Sequence, residues 1–289
     1  MDRKKIYNDF KITSPYTQSP LMRVFRSSVP PESDVFREHH HTAFEITMVL
    51  NGSGIYSTKK GSFRFSSGDI FYFSTDEFHW LKELYTETTF FNIHFEPRFI
   101  WSDNFGISNI ELMRIFFSRE NSSNRLDNSK EETGIIRNTM YNIETEFMKK
   151  QHEYKTMIKI NLITILIELT RGYDGKLSDT ISGNSRTLQL IEQTINYIDN
   201  NLSSNITLEI LSDIAHMSKT YFSSQFRKLN GISPWEYITI KRIEKAIMYI
   251  ENTSMTKLEI AEKCGFNNTA NFYHAFRRVT GKTPSDYIT

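Results

Sequence analysis

The last hundred residues carry one pattern twice. At an offset of 50, Phe222 matches Phe272, Phe226 matches Phe276, Arg227 and Lys228 match Arg277 and Arg278, Gly231 matches Gly281, Pro234 matches Pro284, and Tyr237-Ile238 matches Tyr287-Ile288. Upstream the offset becomes 49, pairing Thr207 with Thr256, Leu211 with Ile260 and Ala215 with Cys264, so the second unit has one extra residue near Asn267 to Thr269. Each unit reads as helix, tight turn, helix. In the first, Leu208, Leu211 and Ala215 share a helical face, His216-Met217-Ser218 makes the turn with Ser218 as N-cap, and Phe222, Phe226 and Leu229 form the apolar face of the next helix until Gly231. In the second, Ile260, Ala261 and Cys264 precede the turn Gly265-Phe266-Asn267, and Phe272, Phe276 and Val279 face inward until Gly281. Ser233-Pro234 and Thr283-Pro284 each announce a further helix.

A plain helical bundle explains the aromatic stripes but not the short polar faces opposite them, which a helix-turn-helix needs to enter a major groove. A helix from Pro234 to about Glu251 is about 27 Å long at the usual rise. That length suits two reading heads in adjacent grooves about 34 Å apart. On the wheel, Thr220, Ser223, Ser224 and Arg227 point outward from the first unit, and Ala270, Tyr273, His274 and Arg277 from the second, with Asn268, Thr269 and Asn271 near the helix start. His274 and the asparagines have the capacity to discriminate bases; Lys219, Arg227, Arg242 and Arg277 suit phosphates.

Bulk charge does not point to nucleic acid. There are 35 Lys and Arg against 34 Asp and Glu, divided 23 to 24 before Ser185 and 12 to 10 after it. A DNA-binding assignment therefore rests on motif geometry. The single cysteine, Cys264, excludes an internal disulfide framework and a thiolate-rich metal cluster. The start of the chain has no apolar core of signal-peptide length, and the run Ile160 to Leu169 is interrupted by Asn161, Thr164 and Glu168, so a cytoplasmic protein without membrane contact is expected.

From Phe44 to about Glu96, β-branched and aromatic stretches alternate with turns such as Asn51-Gly52-Ser53-Gly54 and Ser66-Ser67-Gly68-Asp69, the pattern of consecutive antiparallel strands in a small barrel or sandwich. Phe44, Ile46, Met48 and Leu50 fall on one face, and Glu45, Thr47 and Val49 on the other. After Gly106 the period becomes helical, and Met157, Ile158, Leu162, Ile165, Leu166 and Leu169 outnumber what one helix on a small barrel needs, which predicts a homodimer through residues 106–171. Arg171 to Arg186 is rich in Gly, Ser, Asp and Asn and reads as a linker. The expected fold is α+β in two domains: a barrel over 1–105 with a helical dimerisation segment over 106–171, a linker over 172–186, and an all-α domain over 187–289 with helix-turn-helix motifs at 207–229 and 256–279.

The segments ITLEILSDIAHMSKTYFSSQFRKLNGISPWEYI and EIAEKCGFNNTANFYHAFRRVTGKTPSDYI resemble the two helix-turn-helix halves of the AraC/XylS family of bacterial transcription regulators, over about Leu188 to Thr289. The resemblance implies seven helices, one asymmetric double-stranded DNA site per subunit, control of promoter activity and RNA polymerase as a further candidate partner. Lys257 departs from it, standing where the family has an aliphatic residue that Leu258 would replace. His39-His40-His41-Thr42-Ala43-Phe44-Glu45, with Gly52, Gly68 and His79, resembles the two cupin motifs. In that pattern His39, His41, Glu45 and His79 stand at the positions that hold a divalent metal in metal-binding cupins. The second motif is eroded at Ser74, Asp76 and Glu83, which favours a metal-free pocket where the same four residues, with Tyr72 and Trp80 among the aromatics, meet a small-molecule effector such as a sugar. His94 reads as a strand histidine rather than a ligand. No nucleophile with a base, phosphate cradle or dinucleotide fingerprint is present, so a regulator is expected rather than an enzyme; the alternative is a cupin metalloenzyme with a DNA-binding tail.

Overall fold

The structure, a computed structural model, describes residues 5–13, 20–31, 43–75, 77–101, 112–113, 115–116, 124–172 and 183–287. The chain divides after Ser185 into two compact units.

The first unit is β-rich. Strands β1 (Lys5–Thr13), β2 (Pro20–Val29), β3 (Phe44–Asn51), β4 (Ser53–Thr58), β5 (Gly61–Ser66), β6 (Ile70–Phe73), β7 (His79–Leu84), β8 (Thr88–Phe95) and β9 (Arg125–Leu126) form two sheets. One has the order β1-β2-β8-β3-β6-β9, the other β5-β4-β7. Register places Thr47 beside Asn92 and Glu45 between His94 and Phe73, so the residues of one parity on β3, β6 and β8 share a sheet face. That face is turned toward the smaller sheet, where Val29, Val49, Phe65, Phe71, Phe73 and Phe90 pack with Tyr56 and Leu84.

The opposite parity is buried too. After the short α1 (Arg98–Trp101) come α2 (Glu131–Lys149) and α3 (Tyr154–Arg171), which pack on each other, with α2 against the outer face of the larger sheet. The guanidinium of Arg26 forms a fork with the Glu144 carboxylate, Asn8 donates to the same carboxylate, Phe10 stacks on Phe147 and Phe91 meets Tyr141. Phe44, Ile46 and Met48 therefore lie under helices, while the mixed face of β3 lines the interior. The sequence pattern identified two faces, but the more apolar one is not the face of the cavity.

The second unit is helical: α4 (Gly183–Asn200), α5 (Leu208–Ile214), α6 (Lys219–Asn230), α7 (Pro234–Asn252), α8 (Lys257–Lys263) and α9 (Thr269–Thr280). Helix α4 begins inside the stretch read as a linker. The starts are written in the sequence: Ser218 accepts from Tyr221 N–H, Ser233 and Glu236 make a reciprocal capping box ahead of Pro234, and Thr256 and Glu259 make another. Helix α8 thus starts cleanly at Lys257, and Leu258 is exposed rather than taking a buried aliphatic place. Gly231 and Gly281 end α6 and α9 in the left-handed conformation. In the two turns, Gly265 at φ 82° and His216 at φ 50° adopt that same conformation. After Thr283-Pro284 the described residues form a single turn rather than a further helix, giving six helices and a turn among the described residues of this unit.

Helix α7 is the common support. Its first half packs on the first motif, with Tyr237 edge-on to Phe226. In its second half Ile243, Ala246, Ile247 and Ile250 join Ile260, Ala261, Cys264, Phe272 and Phe276 in one core. Burial pushes the Tyr237 hydroxyl well up, reinforced by the Asp199 carboxylate that accepts its hydrogen bond, and burial also raises Asp199. The Cys264 thiol is driven up to about 11 by burial, the state of a core residue rather than a reactive one.

Candidate effector cavity and nucleic-acid interface

Between the two sheets of the first unit lies a cavity of about 90 Å³. Ser27 and Val29 of β2, Glu45 and Thr47 of β3, Phe71 and Phe73 of β6, Phe90 and Asn92 of β8, Tyr56 of β4, and His79, Trp80 and Leu81 of β7 line it. The polar groups lock one another. Thr47 donates to Glu45 Oε1 at 2.6 Å, and Asn92 Nδ2 donates to Phe25 O and Ser27 Oγ. Glu45 Oε2 lies 3.3 Å from His79 Nε2 and 3.4 Å from His94 Nε2. His79 Nδ1 is 2.8 Å from Glu77 O, which takes its hydrogen, so the approach of Nε2 to the carboxylate is attractive when a proton lies between them. The ring of His79 also stacks on Phe73 at 3.9 Å between centroids.

Of the four residues matching the cupin pattern, Glu45 and His79 meet here, and His39 and His41 lie outside the described residues. Trp80 lines the cavity. Tyr72 does not: it has the opposite parity on β6, is 1% exposed, and turns its ring to Phe116 under the helices. The sequence reading also missed Asn92 and placed His94 apart from the site, although both are polar interruptions of one parity in an apolar strand, Phe90, Asn92, His94, and that alternation was legible. Among the described residues no group of three or more His, Cys, Asp or Glu is arranged to hold a metal, and Glu45 is already engaged by Thr47 and two imidazoles.

In the second unit α6 buries Phe222, Phe226 and Leu229 and leaves Lys219, Thr220, Ser224 and Arg227 exposed, with Ser223 half-buried. Helix α9 buries Phe272, Ala275, Phe276 and Val279 and exposes Asn271, His274 and Arg277, with Thr269 and Tyr273 half-buried. Lys219 pairs with Glu209 at 3.3 Å, both well exposed, a contact that a phosphate replaces at little cost. Asn268 is the N-cap of α9, its Oδ1 accepting from Asn271 N–H at 2.7 Å, so its capacity to read a base is partly spent.

Arg242 is a correction. It is 8% exposed, donating through Nε to Leu202 O at 2.9 Å and through a terminal nitrogen to Ser204 O at 2.8 Å, which ties α7 to the loop before α5. Desolvation lowers its ordinary value, and Gly265 packs so close that a Cβ there would lie 2.3 Å from Leu202 O. It braces the fold and is not a phosphate contact. Two exposed aromatics escaped the sequence reading, Tyr221 on α6 and Trp235 at the start of α7. Trp235 borders a groove of about 330 Å³ that Asn271, His274 and Arg278 also line.

Comparison with known proteins follows the same division. Residues 23–109 match the AraC-like ligand binding domain and residues 211–289 match a helix-turn-helix domain. The chain is 24% identical over 251 residues to the HTH-type transcriptional activator RhaR of Enterobacter sp. (strain 638), spanning 87% of this chain and 86% of that protein. It is 33% identical over 92 residues to the probable transcriptional regulator LumQ of Photobacterium leiognathi, covering 32% of this chain and 37% of that one. Among solved structures, the C-terminal domain of the two-component response regulator yesN from Fusobacterium nucleatum is 32% identical with a TM-score of 0.33, over 34% of this chain and 96% of that chain.

Proposed function

We propose that this chain, an AraC-type transcriptional regulator with a ligand-binding N-terminal domain and a DNA-binding helix-turn-helix domain, senses an organic effector in the cavity between its two sheets and reads its operator mainly through α9. The observation that carries the reading is a cavity lined by a buried carboxylate, an imidazole and an aromatic wall inside the very segment that matches the ligand-binding domain. The relatives are transcriptional regulators, which speaks against an enzyme. The engagement of Glu45 by Thr47, His79 and His94 favours an organic ligand over a metal. A cavity of about 90 Å³ is small for a sugar.

Operator reading follows from side-chain chemistry. Helix α6 offers hydroxyls and cations, which position, whereas α9 offers Asn271 and His274, which distinguish base edges. The active species is a homodimer formed through the outer face of α3, the protein acts in the cytoplasm, and RNA polymerase is its partner at the promoter. No described helix is long and apolar enough to cross a membrane. The test is a footprint of the full chain on the promoter beside its own gene, with and without candidate effectors, repeated with Phe71→Trp to fill the cavity. A response that Phe71→Trp abolishes while DNA binding persists supports the reading; an undiminished response refutes it.

A further inference from the structure

The barrel's chemistry narrows the ligand it accepts, and, resting on the reading of the cavity as the effector site, we propose that the effector is a compact apolar molecule with one hydrogen-bond-donating head, neutral or cationic and not an anion. The cavity is divided by chemistry. Ser27, Asn92, Thr47 and Glu45 lie on adjacent strands β2, β8 and β3 and form a polar strip, closed by His79 from the other sheet. The rest of the wall is Val29, Tyr56, Phe71, Phe73, Trp80, Leu81 and Phe90.

Three observations set the class. First, the described lining holds no Lys or Arg, and its one carboxylate is Glu45. Arg23, which shares the β2 face with Phe25 and Ser27, is held by both oxygens of Asp9 at 2.8 and 3.1 Å. An anion would therefore sit beside the Glu45 carboxylate with only the His79 imidazole, already turned to that carboxylate, to offset the repulsion. Second, Glu45 Oε2 and the two imidazoles form a contact that a hydroxyl or ammonium can enter, donating to the carboxylate as it does so. Third, the volume is about 90 Å³, below the roughly 150 Å³ of an apolar cavity that holds benzene. A polyol would bring more hydroxyls than the polar strip can match, and each unmatched hydroxyl buried on the aromatic wall is penalised.

The experiment uses the purified full chain and sets of an alcohol, an amine and a carboxylic acid sharing one carbon skeleton, from ethyl to butyl, with binding followed by ligand-observed NMR. Site binding is what Phe71→Trp abolishes. Alcohols and amines are expected to bind about tenfold or more tightly than the matched acids, and Glu45→Gln to bring amines within about twofold of acids. Acids binding as well as their matched partners in the parental chain would overturn the proposal without any appeal to Glu45→Gln and its folding. If that acid binding is abolished by Phe71→Trp, only the ligand class is lost and the cavity remains the effector site. If no member of any set binds in a way that Phe71→Trp abolishes, the effector reading of the cavity fails as well.

Discussion

At the scale of the residue, three arginine and histidine positions that look alike in the sequence do different work. Arg227 and His274 are exposed on α6 and α9, and Arg242 is buried under the loop at Leu202. His274→Ala is expected to change base preference at a few positions in a selection from random DNA, while Arg227→Ala weakens all sites alike and lowers the salt slope by about one. Arg242→Ala should instead cost stability, on the order of 1–3 kcal/mol for the orphaned carbonyls, read as an earlier urea midpoint with operator preference unchanged. The helical wheel found the exposed readers, because burial of Phe222 and Phe272 fixes the opposite face; Arg242 was assigned to phosphates by its charge alone, although it falls between Ile238 and Ala246 on the buried stripe of α7. Asp199 supplies a pH test. Its carboxyl is raised by burial, so its contribution favours folding below the usual carboxylate range and fades as pH rises through the raised value. Asp199→Asn, which still accepts from Tyr237, should therefore unfold at a higher temperature than the parent at neutral pH and lose that advantage in acid.

At the scale of the element, strand parity and helix periodicity were readable and their assignment to neighbours was not. Phe44, Ile46 and Met48 were separated from Glu45, Thr47 and Val49 by parity alone, and the cover of the apolar set, Phe116 over Phe44 and Tyr141 of α2 over the neighbouring Phe91, is not written in that pattern. Helix α3 repeats the lesson. Ile158, Leu162, Ile165, Leu166 and Leu169, taken from the sequence as surplus for a partner, are 0% exposed within the chain. The apolar groups left outside are Met157 at 42% and Ile160 at 43%, with Ile163 and Ile167 half-buried along the same side. Ile160→Glu with Ile167→Glu is accordingly expected to yield folded monomers by light scattering and to weaken binding to paired sites. Leu162→Glu should unfold the first unit rather than dissociate anything, since it places a charge in a filled core. Monomers from the unmodified chain would remove the dimer proposal.

At the scale of the whole molecule, the repeat disclosed the second unit almost in full, because caps, turns and core aromatics recur at fixed spacing there. The first unit was less legible: its cavity is assembled from six strands far apart in the chain, and spacing along one strand cannot report which residues meet across it. Residues 186–289 have their own core and should bind promoter DNA as a fragment, with affinity falling steeply as salt rises; flat or absent binding in such a titration would count against both reading helices. Helix α7 sets the terms of that binding. The second half of its 19 residues lies in one core with the second motif and the first half meets the first motif through Tyr237, so the two motifs turn together as the ends of a single rod. Adding one residue to such a rod would rotate one end against the other by about 100° and advance it by about 1.5 Å. The angular phase between the two halves of an operator is therefore fixed by a length of helix that never needs to touch a base, and drift in the operator's spacing has no single-residue answer in the protein.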